Sequence, residues 1–330
     1  MDAAQRLAAF PRKQLAFLPT PLVELPRLGA LLGGPRILVK RDDQTGLAFG
    51  GNKTRKLEFL VGEALAEGCD SLITGGAAQS NHCRQTAAAA AAAGLDCHLA
   101  LGGEAPELPG GNLLLDGLLG ATIHWGGIHR KGEDIPRIAE NLRAAGRRPF
   151  VIPYGGSSPT GALGYVEASR ELALQLRAQG ESPAAVVFAS SSGGTQAGLE
   201  VGFPLFGIGA RLVAVAIDKF EGEGPSLRER VRMTSAELAA LLGLDMVTEG
   251  ELREDFLGGG YGVVGAAERE AIGLAARTEG LLLDPVYSGR AFAGLLAMIR
   301  GGEFKGSESV LFWHTGGGPA LFPYAQDLLS

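Results

Sequence analysis

Apolar residues along the chain follow two different periods. Short, largely apolar runs typical of buried strands lie at residues 36–40, 71–75, 97–101, 184–190 and 211–217. In residues 54–68 the period is helical instead. Apolar side chains lie there at i, i+3, i+4, i+7 and i+8, namely Leu57, Leu60, Val61, Ala64 and Leu65. Gly68 ends this pattern, so an amphipathic helix is predicted before it.

Strand-like and helix-like segments alternate along the chain. Residues 76–94 indicate a turn and then an Ala-rich helix, and residues 191–203 indicate a glycine loop that opens a helix. Repeated strand–helix–strand order predicts parallel sheets with right-handed crossovers. We therefore expect an α/β fold with doubly wound, open sheets. Ligands bind such sheets beyond the carboxyl ends of the strands, which favours the loops at residues 75–82, 190–196 and 314–318.

Length, composition and charge narrow the class of protein. A chain of 330 residues, 46% of them hydrophobic, is long enough for two domains with sizeable cores. A net charge of -6 without a long basic block argues against a nucleic-acid-binding surface. The chain has no apolar run of the roughly 18 residues that a membrane helix needs. Its first residues lack the order of a signal peptide.

The cysteine and histidine patterns argue against disulfides and metal sites. Cys69, Cys83 and Cys97 form no CxxC pair, which fits a reducing compartment. The five histidines show no metal-ligand spacing. We therefore expect a cytoplasmic protein that has no metal ion and no nucleic-acid or membrane partner.

The loop at residues 190–198, SSSGGTQAG, is a candidate anion site. It follows an apolar strand and opens a helix, where free N–H groups and the helix dipole favour a negative charge. Its glycines allow close approach, and its hydroxyls add donors. A plain connection without a ligand is the alternative. Neither a Walker motif nor G-x-G-x-x-G is present, so a single phosphate monoester is favoured over a nucleotide.

A second candidate anion site begins at Ser80 and Asn81, before the Ala-rich helix. It would suit a substrate carboxylate, although plain N-capping is the commoner role of such residues. Cys83 beside it is interpreted as a packing residue, since no matched base accompanies it. Asp42 and Asp43 are interpreted as structural, because side chains of adjacent strand residues point to opposite faces.

Lys53 follows the residues FGGN and precedes the predicted helix. A lysine in a glycine-lined loop could bind pyridoxal 5'-phosphate covalently, with the phosphate in a glycine loop elsewhere. A solvated lysine in the first helical turn is the alternative. The joint presence of a phosphate loop and a carboxylate loop favours the cofactor. Arg55 and Lys56 are interpreted as helix-surface or local anion-pairing charges.

Several motifs together resemble a known family. They are KRDDQTGLAFGGNKTRKLEFL, GAAQSNHCRQTAAAAA, SSSGGTQAGL, GGGYG, DPVYSGRA and HTGGGPALF, in order between residues 11 and 322. They are similar to the fold-type II pyridoxal-phosphate enzymes of the aminocyclopropane-carboxylate deaminase / D-cysteine desulfhydrase family. The resemblance implies two doubly wound domains of the tryptophan synthase beta type. Residues 1–54 plus 166–330 would form the large domain and residues 55–165 the small one. It also implies a homodimer.

The resemblance also implies roles for residues at the matching motifs. Lys53 would carry the cofactor and move protons. Ser80, Asn81 and His82 would hold the substrate carboxylate, with Asn81 also near the cofactor's phenolic oxygen. Tyr287 would complete a catalytic group with Lys53 and Ser80.

Further residues are implied to bind the cofactor or to face the substrate. Tyr287 would stack on the pyridine ring, and Tyr261 would line the substrate side. Thr315 would approach the ring nitrogen. The residues around the phosphate would be Ser192, Gly193, Gly194 and Thr195.

One position distinguishes the branches of this family. Its deaminases carry Glu after the stacking tyrosine, where this chain has Ser288. A carboxylate facing the ring nitrogen makes the ring a deep electron sink, which opening a cyclopropane needs because no leaving group departs. A hydroxyl gives a weaker sink that suffices for α,β-elimination. Ser288 therefore favours elimination from a cysteine-like amino acid.

The branch resemblance implies D-cysteine as the substrate, with pyruvate, hydrogen sulfide and ammonia as products. L-Cysteate is an alternative, whose sulfonate Arg290 or Arg84 could bind, and 1-aminocyclopropane-1-carboxylate is another. An alternative of a different class is a non-catalytic protein whose glycine loops bind some other phosphate compound.

Overall fold

The computed structural model describes residues 2–219, 224–245 and 247–329. The strands in these ranges are Leu22–Glu24 (β1), Arg36–Arg41 (β2), Ser71–Ala77 (β3), Asp96–Gly102 (β4), Thr122–Trp125 (β5), Pro149–Val151 (β6), Ala185–Ser190 (β7), Arg211–Ala216 (β8), Glu251–Arg253 (β9) and Ser309–His314 (β10). The α-helices are Ala3–Ala9 (α1), Pro26–Leu32 (α2), Lys53–Ala66 (α3), Asn81–Ala93 (α4), Gly111–Leu118 (α5), Ile135–Ala144 (α6), Pro159–Gln179 (α7), Gly194–Phe206 (α8), Leu227–Leu242 (α9), Ala266–Glu279 (α10), Ser288–Arg300 (α11) and Ala325–Leu329 (α12).

The larger sheet has the strand order β1-β2-β10-β7-β8-β9. Only the pairing of β1 with β2 is antiparallel among these strands. In the centre, Phe312 of β10 lies between Val39 of β2 and Val187 of β7. Every residue of β7 and β10 is buried, as expected of central parallel strands with helices on both faces.

The smaller sheet has the order β5-β4-β3-β6, and all of its pairs are parallel. Its core joins the sheet to α3 and α4 through Leu57, Leu72, Ala87 and Leu99. Four residues of the predicted apolar stripe of α3 belong to this core, namely Leu57, Leu60, Val61 and Ala64, whereas Leu65 is exposed.

The predicted α/β class with two open, mainly parallel sheets is confirmed. The five apolar runs correspond to β2, β3, β4, β7 and β8. The proposed domain boundaries, after residues 54 and 165, fall inside α3 and α7. All four strands of the smaller sheet lie within residues 55–165, and the division itself stays a prediction. In the described ranges, no helix is both long and apolar enough to cross a membrane.

Asp42 lies in a 3-10 turn and not in a strand, and it is fully buried. Its carboxylate accepts hydrogen bonds from the guanidinium of Arg55, from the phenol of Tyr165 and from the indole of Trp313, at 2.8–2.9 Å. The interpretation of Asp42 as structural is therefore confirmed. The network fastens α3 to α7 and to the centre of the larger sheet.

The prediction that Arg55 and Lys56 are helix-surface charges is wrong. Both side chains are about 1% exposed. The prediction failed because α3 packs against α4 on one side and α7 on the other, so its polar positions are also covered. Anion pairing is confirmed for Arg55, whose Nη2 lies 2.8 Å from Asp42 Oδ1.

Candidate active site

A pocket lies where the carboxyl ends of β3, β7 and β10 meet the start of α3. Its lining consists of Asn52, Lys53, Ser80, Asn81, His82, Tyr154, Gly155, Ala189, Ser190, Ser191, Ser192, Gly193, Thr195, Tyr287, Thr315 and Gly316. The three loops selected from the sequence therefore converge on one site, as parallel sheets require.

Lys53 is the first residue of α3, and its amine points across the pocket towards Gly155. Its Nζ donates a hydrogen bond to the carbonyl of Gly155, at 3.2 Å. Burial lowers the pKa of Lys53 to about 8. A sizeable fraction of the amine is consequently unprotonated near neutral pH, which makes it a competent nucleophile and base.

Asn52 ties the lysine loop to two other loops of the site. Its backbone N–H donates to the carbonyl of Thr315, at 2.9 Å. Its side-chain amide donates to the hydroxyl of Thr195, at 3.2 Å. Asn52 was not predicted as a site residue, and its place directly before Lys53 was the available signal.

The loop between β7 and α8 forms a cup with a cation beside it. Gly193 has a φ of +94°, and the first N–H groups of α8 have no acceptor within the helix. The hydroxyl of Ser157 accepts from the N–H of Gly194, at 3.0 Å, and donates to Ser192, at 2.8 Å. Lys56 Nζ donates to Ser157, at 3.4 Å. Gly194 is not part of the pocket lining but is held at its edge by Ser157.

Lys56 and Ser157 were missed as site residues. Lys56 Nζ also donates to the carbonyl of Gly155, at 3.2 Å, so it shares this acceptor with Lys53. Burial, followed by the charge of Lys53, lowers the pKa of Lys56. The spacing i, i+3 from Lys53 was a signal, because such residues lie on one face of a helix. The amine of Lys56 beside the start of α8 suits a phosphate dianion, whose charge would favour the ammonium form of Lys56.

The start of α4 is the second candidate anion site. Ser80 Oγ accepts from the N–H of Cys83, at 3.2 Å, so Ser80 is an N-cap. The N–H groups of Asn81 and His82 in the first turn have no acceptor within the helix. Asn81 Oδ1 accepts from Asn112 Nδ2, at 2.9 Å, which leaves the Asn81 amide N–H groups free to donate. N-capping and carboxylate binding are therefore compatible here.

The ring of His82 is buried, and its hydrogen bonds determine which tautomer it has. The single hydroxyl proton of Thr74 is donated to the carbonyl of Ile152, at 3.0 Å. His82 Nε2, which is 2.9 Å from the same hydroxyl, must then be the donor to it. His82 Nδ1 is left as a buried acceptor without a hydrogen-bond partner in the described structure. The ring therefore cannot donate to a carboxylate, and only the backbone N–H of His82 can.

Two tyrosines form one wall of the site. The hydroxyls of Tyr287 and Tyr261 are 2.8 Å apart, and their rings meet edge to face with centroids 5.9 Å apart. Tyr287 lines the pocket. Tyr261 does not, and it instead lies behind Tyr287 with the guanidinium of Arg130 over its ring. Tyr154 lines the pocket and was missed, and burial raises its pKa to about 12.

Ser288 is not among the lining residues of the pocket, and its role at the cofactor stays a prediction. It is fully buried, and its Oγ donates to Asp284 Oδ1, at 2.6 Å, and accepts from the Asp284 N–H, at 2.8 Å. The same Oγ is 3.4 Å from the carbonyl of Gly316, which lines the pocket. Thr315, at the end of β10, lines the pocket and supplies the hydroxyl on that side.

Other candidates from the sequence have structural roles. Cys83 is buried, and burial raises the pKa of its thiol, which confirms it as a packing residue. Arg84 and Arg290 do not line the pocket. Arg290 is bound to Glu268 and to backbone carbonyls, and Arg84 is bound to the carbonyls of Ala48 and Gly50. The expectation that either arginine meets a sulfonate is wrong. No cluster of metal-ligating side chains occurs among the described residues.

The residues of the pocket fit pyridoxal phosphate. A lysine amine, a phosphate cup with a cation, and an aromatic side chain surround one space. Gly155 has a φ of +66°, and a Cβ there would lie 2.2 Å from Ser192 Oγ, so a side chain would enter the cup. The buried acceptor on His82 and the free first-turn donors of α4 remain available for a substrate.

Comparisons with known proteins agree with this geometry. Residues 13–316 match the model of a family described as "Pyridoxal-phosphate dependent enzyme". The chain is 44% identical over 330 residues to D-cysteine desulfhydrase of Klebsiella pneumoniae (strain 342), covering 98% of this chain and 99% of that protein. It is 45% identical over 324 residues to D-cysteine desulfhydrase of Salmonella choleraesuis (strain SC-B67), covering 96% and 97%. The structure matches the crystal structure of an ACC deaminase homologue with a TM-score of 0.92 and 40% identity, over 99% of this chain and 98% of that chain.

Proposed function

The chain belongs to the family of pyridoxal-phosphate-dependent enzymes, and we propose that it cleaves the carbon–sulfur bond of D-cysteine to give pyruvate, hydrogen sulfide and ammonia. The observation that carries this proposal is the buried amine of Lys53, with a pKa lowered to about 8, between a phosphate cup and a carboxylate site. The names of the similar full-length proteins support the choice of substrate.

The proposed cofactor contacts come from residues of both sheets. Lys53 would hold the cofactor covalently, and Tyr287 and Thr315 of the lining would contact its ring. Residues 192–195 bind the phosphate, with Lys56 as the neighbouring cation. When bound, pyridoxal phosphate supplies an electron sink for the carbanion that forms when the α-proton of the substrate is removed.

The proposed proton transfers use groups that the pocket provides. Once the amine of the substrate has displaced Lys53 from the cofactor, the freed amine of Lys53 removes the α-proton, because its lowered pKa leaves it partly unprotonated. The β-sulfur then leaves as thiolate with the bonding electron pair, and the remaining 2-aminoacrylate is hydrolysed to pyruvate and ammonia. Burial, followed by the neighbouring tyrosines, raises the pKa of Tyr287, so its phenol stays protonated and can donate to the departing thiolate.

The charges of the pocket favour a thiol over a sulfonate. Among the described lining residues, only Lys53 and His82 could carry a positive charge. Burial lowers the pKa of His82 well below its ordinary value, so its ring is neutral. A sulfonate would therefore lack a dedicated cation, since Arg84 and Arg290 are bound elsewhere. This supports D-cysteine over L-cysteate.

The same pocket-lining residues favour α,β-elimination over the opening of a cyclopropane ring. Its described residues include no carboxylate, and the side chain nearest the end of β10 is the hydroxyl of Thr315. The preference for elimination, first attributed to Ser288, is therefore attributed to Thr315. A hydroxyl supports a weaker electron sink than a carboxylate does, and a thiolate leaving group compensates for this.

Substrate comparison tests the proposal. Purified holoenzyme is assayed with D-cysteine, L-cysteine, L-cysteate and 1-aminocyclopropane-1-carboxylate, following sulfide, sulfite and 2-oxo acid. D-Cysteine should give the highest kcat/KM. Dominant sulfite release, or dominant 2-oxobutanoate release, would instead support the cysteate or cyclopropane alternative. Lys53→Ala should abolish both turnover and visible absorbance. A colourless wild-type protein that borohydride does not label would favour non-catalytic binding of another phosphate compound.

We also propose a homodimer in the cytoplasm. Phe17 and Phe49 are 75% and 68% exposed, and the ring of Phe17 packs on Gly46 in the loop that carries Phe49. Two exposed aromatic rings on one surface support contact with a second copy. The three free cysteines support a reducing compartment. Light scattering on a size-exclusion column tests the dimer, and cell fractionation tests the location.

A further inference from the structure

The loop before Lys53 has an unusual backbone. Ala48 and Phe49 have φ values of +42° and +68°, and no other non-glycine residue in the described ranges has a positive φ. Gly46, Gly50 and Gly51 on either side have positive φ values too. L-residues with a side chain disfavour this conformation, so surrounding contacts must hold it.

One buried side chain holds this segment. Arg84 on α4 is 0% exposed, and its Nη1 donates to the carbonyl of Ala48, at 2.6 Å. Its Nη2 donates to the carbonyl of Gly50, at 3.0 Å. The planar fork of a guanidinium fixes the directions of two carbonyls at once, which a lysine amine cannot do.

The next residue of α4 holds the other side of Lys53. Gln85 Oε1 accepts from the backbone N–H of Thr54, at 2.8 Å, and from its hydroxyl, at 3.0 Å. A Cβ on Gly51 would lie 2.7 Å from Gln85 Nε2, so the loop backbone is pressed against this side chain. The backbone on both sides of Lys53 is therefore held by α4, before it by Arg84 and after it by Gln85.

These two residues lie one turn beyond the N-terminus of α4. That N-terminus carries Ser80, Asn81 and His82, which face the pocket. A single helical turn therefore connects the proposed carboxylate site to the loop that carries the reactive amine. A helical turn is about 5.4 Å long and rigid, so it sets the separation of the two sites.

We propose that Arg84 is a positioning residue for Lys53, which holds the left-handed Ala48–Gly50 segment and thereby fixes the amine of Lys53 relative to the N-terminus of α4. This inference rests on the proposed roles of Lys53 and of residues 80–82.

The cost of burying this guanidinium supports the assignment. Burial lowers the pKa of Arg84 to about 10, although the nearby carboxyls of Asp116 and Asp284 oppose that shift. Its Nε is buried without a hydrogen-bond partner in the described structure. A buried charge with this little compensation stabilises a core less than an apolar side chain does. The contribution of this guanidinium is instead its two hydrogen bonds to the strained backbone at residues 48–50.

The test uses the apoproteins of wild type, Arg84→Met, Arg84→Lys, Arg84→Met with Ala48→Gly, and Arg12→Met. Arg12 is the matched control, because it binds Glu58 on α3 and does not contact the loop. Far-ultraviolet circular dichroism establishes folding. Titration with pyridoxal phosphate, followed by visible absorbance, gives the dissociation constant and the pH midpoint of the bound chromophore. Borohydride trapping with peptide mapping identifies the attached lysine.

Both Arg84 variants should bind the cofactor about tenfold more weakly and shift the pH midpoint, because Lys53 samples more positions. Ala48→Gly should recover about threefold in the Arg84→Met background, since glycine adopts positive φ without strain. Arg12→Met should lower the thermal midpoint and leave the affinity and the pH midpoint unchanged.

Three outcomes would overturn the inference. The first is a folded Arg84→Met protein with wild-type affinity and pH midpoint. The second is absence of recovery by Ala48→Gly. The third is failure of Arg84→Met, of Arg84→Lys and of Arg84→Met with Ala48→Gly to fold, which would show that Arg84 supports the core and not the loop. Labelling of a residue other than Lys53 in the wild type would instead refute the proposed role of Lys53.

Discussion

Replacing Arg55 with methionine tests the buried network that anchors α3. Four charges meet there, two cationic from Lys40 and Arg55 and two anionic from Asp42 and Glu171. Asp42 and Lys40 are 0% exposed, and Arg55 is 1% exposed. Methionine keeps most of the length and apolar stem of arginine but removes the charge and four hydrogen bonds to the two carboxylates.

The expected loss of stability is large because the remaining charges no longer balance. Removing one partner of a buried pair leaves an uncompensated charge and costs about 3–5 kcal/mol. The melting temperature should fall by about 10 °C at roughly 2–4 °C per kcal/mol. The matched control is Arg300→Met, whose pair with Glu270 is about half exposed on both sides. That variant should lose less than about 1 kcal/mol.

The pH dependence separates an electrostatic effect from a packing effect. Burial raises the pKa of Asp42, but Arg55, followed by Lys40 and the indole of Trp313, outweighs it and holds the pKa below its ordinary value. In the wild type, the folded pKa is thus below the unfolded one. The Asp42 carboxylate therefore stabilises the folded state at pH values above its unfolded pKa of about 3.9. This contribution is lost as the pH falls through the folded pKa.

In Arg55→Met the pKa shift of Asp42 between the unfolded and folded states should reverse its sign. Without Arg55, burial dominates and the folded pKa of Asp42 lies above the unfolded one, so protonation favours the folded state as the pH falls. The difference in unfolding free energy between wild type and variant should therefore narrow from pH 7 to about pH 4.5. Urea unfolding followed by circular dichroism measures it. A difference that stays constant over this range would refute the electrostatic explanation. Adding Asp42→Asn to the variant should recover part of the loss at pH 7.

Three further predictions concern the pocket. Gly155→Ala should lower the affinity for pyridoxal phosphate at least about tenfold in a folded apoprotein, because the φ of +66° strains alanine and its Cβ would lie 2.2 Å from Ser192 Oγ; wild-type affinity in an absorbance titration would contradict this. The rate at which apoprotein attaches the cofactor should rise with pH with a midpoint near 8, the lowered pKa of Lys53, and a midpoint near the ordinary 10.5 would count against burial as the cause. Asn112→Leu should raise KM for D-cysteine about fivefold with a smaller change in kcat, because Asn81 loses the 2.9 Å bond that orients its amide; steady-state kinetics with an unchanged KM would exclude that role.

The central strands of the fold were predictable from local patterns because they are largely apolar and the helices beside them have regular stripes. β7 is an example, since every residue in it is buried. The antiparallel β1 was not predicted, because it has three residues, only one of them buried. Short edge strands leave little periodicity to detect.

The site was predictable where one loop carries its own motif, and not where distant segments meet. Lys53 and the 192–195 loop could be recognised locally. Ser157 and Gly155 could not, because their contacts with Lys56 and Lys53 join residues 99–102 positions apart. Ser288 also carries a local motif, but the motif does not show its hydrogen bonds to Asp284, which fix the orientation of its hydroxyl.

The charges around Lys53 explain why Arg55 and Lys56 differ although they are adjacent and equally buried. Arg55 faces Asp42 and Glu171, and its pKa is raised, so its charge stabilises the folded structure through these ion pairs. Lys56 has only the neutral acceptors Gly155 and Ser157 among its described hydrogen-bond partners, and its pKa is lowered. A buried ammonium without a carboxylate reduces stability unless an anion approaches it. Because Lys56 stands beside the N-terminus of α8 and shares an acceptor with Lys53, the approach of a phosphate would stabilise both its charge and the helix dipole. The position one turn beyond Lys53 would thus serve the proposed ligand, whereas the adjacent position serves the core.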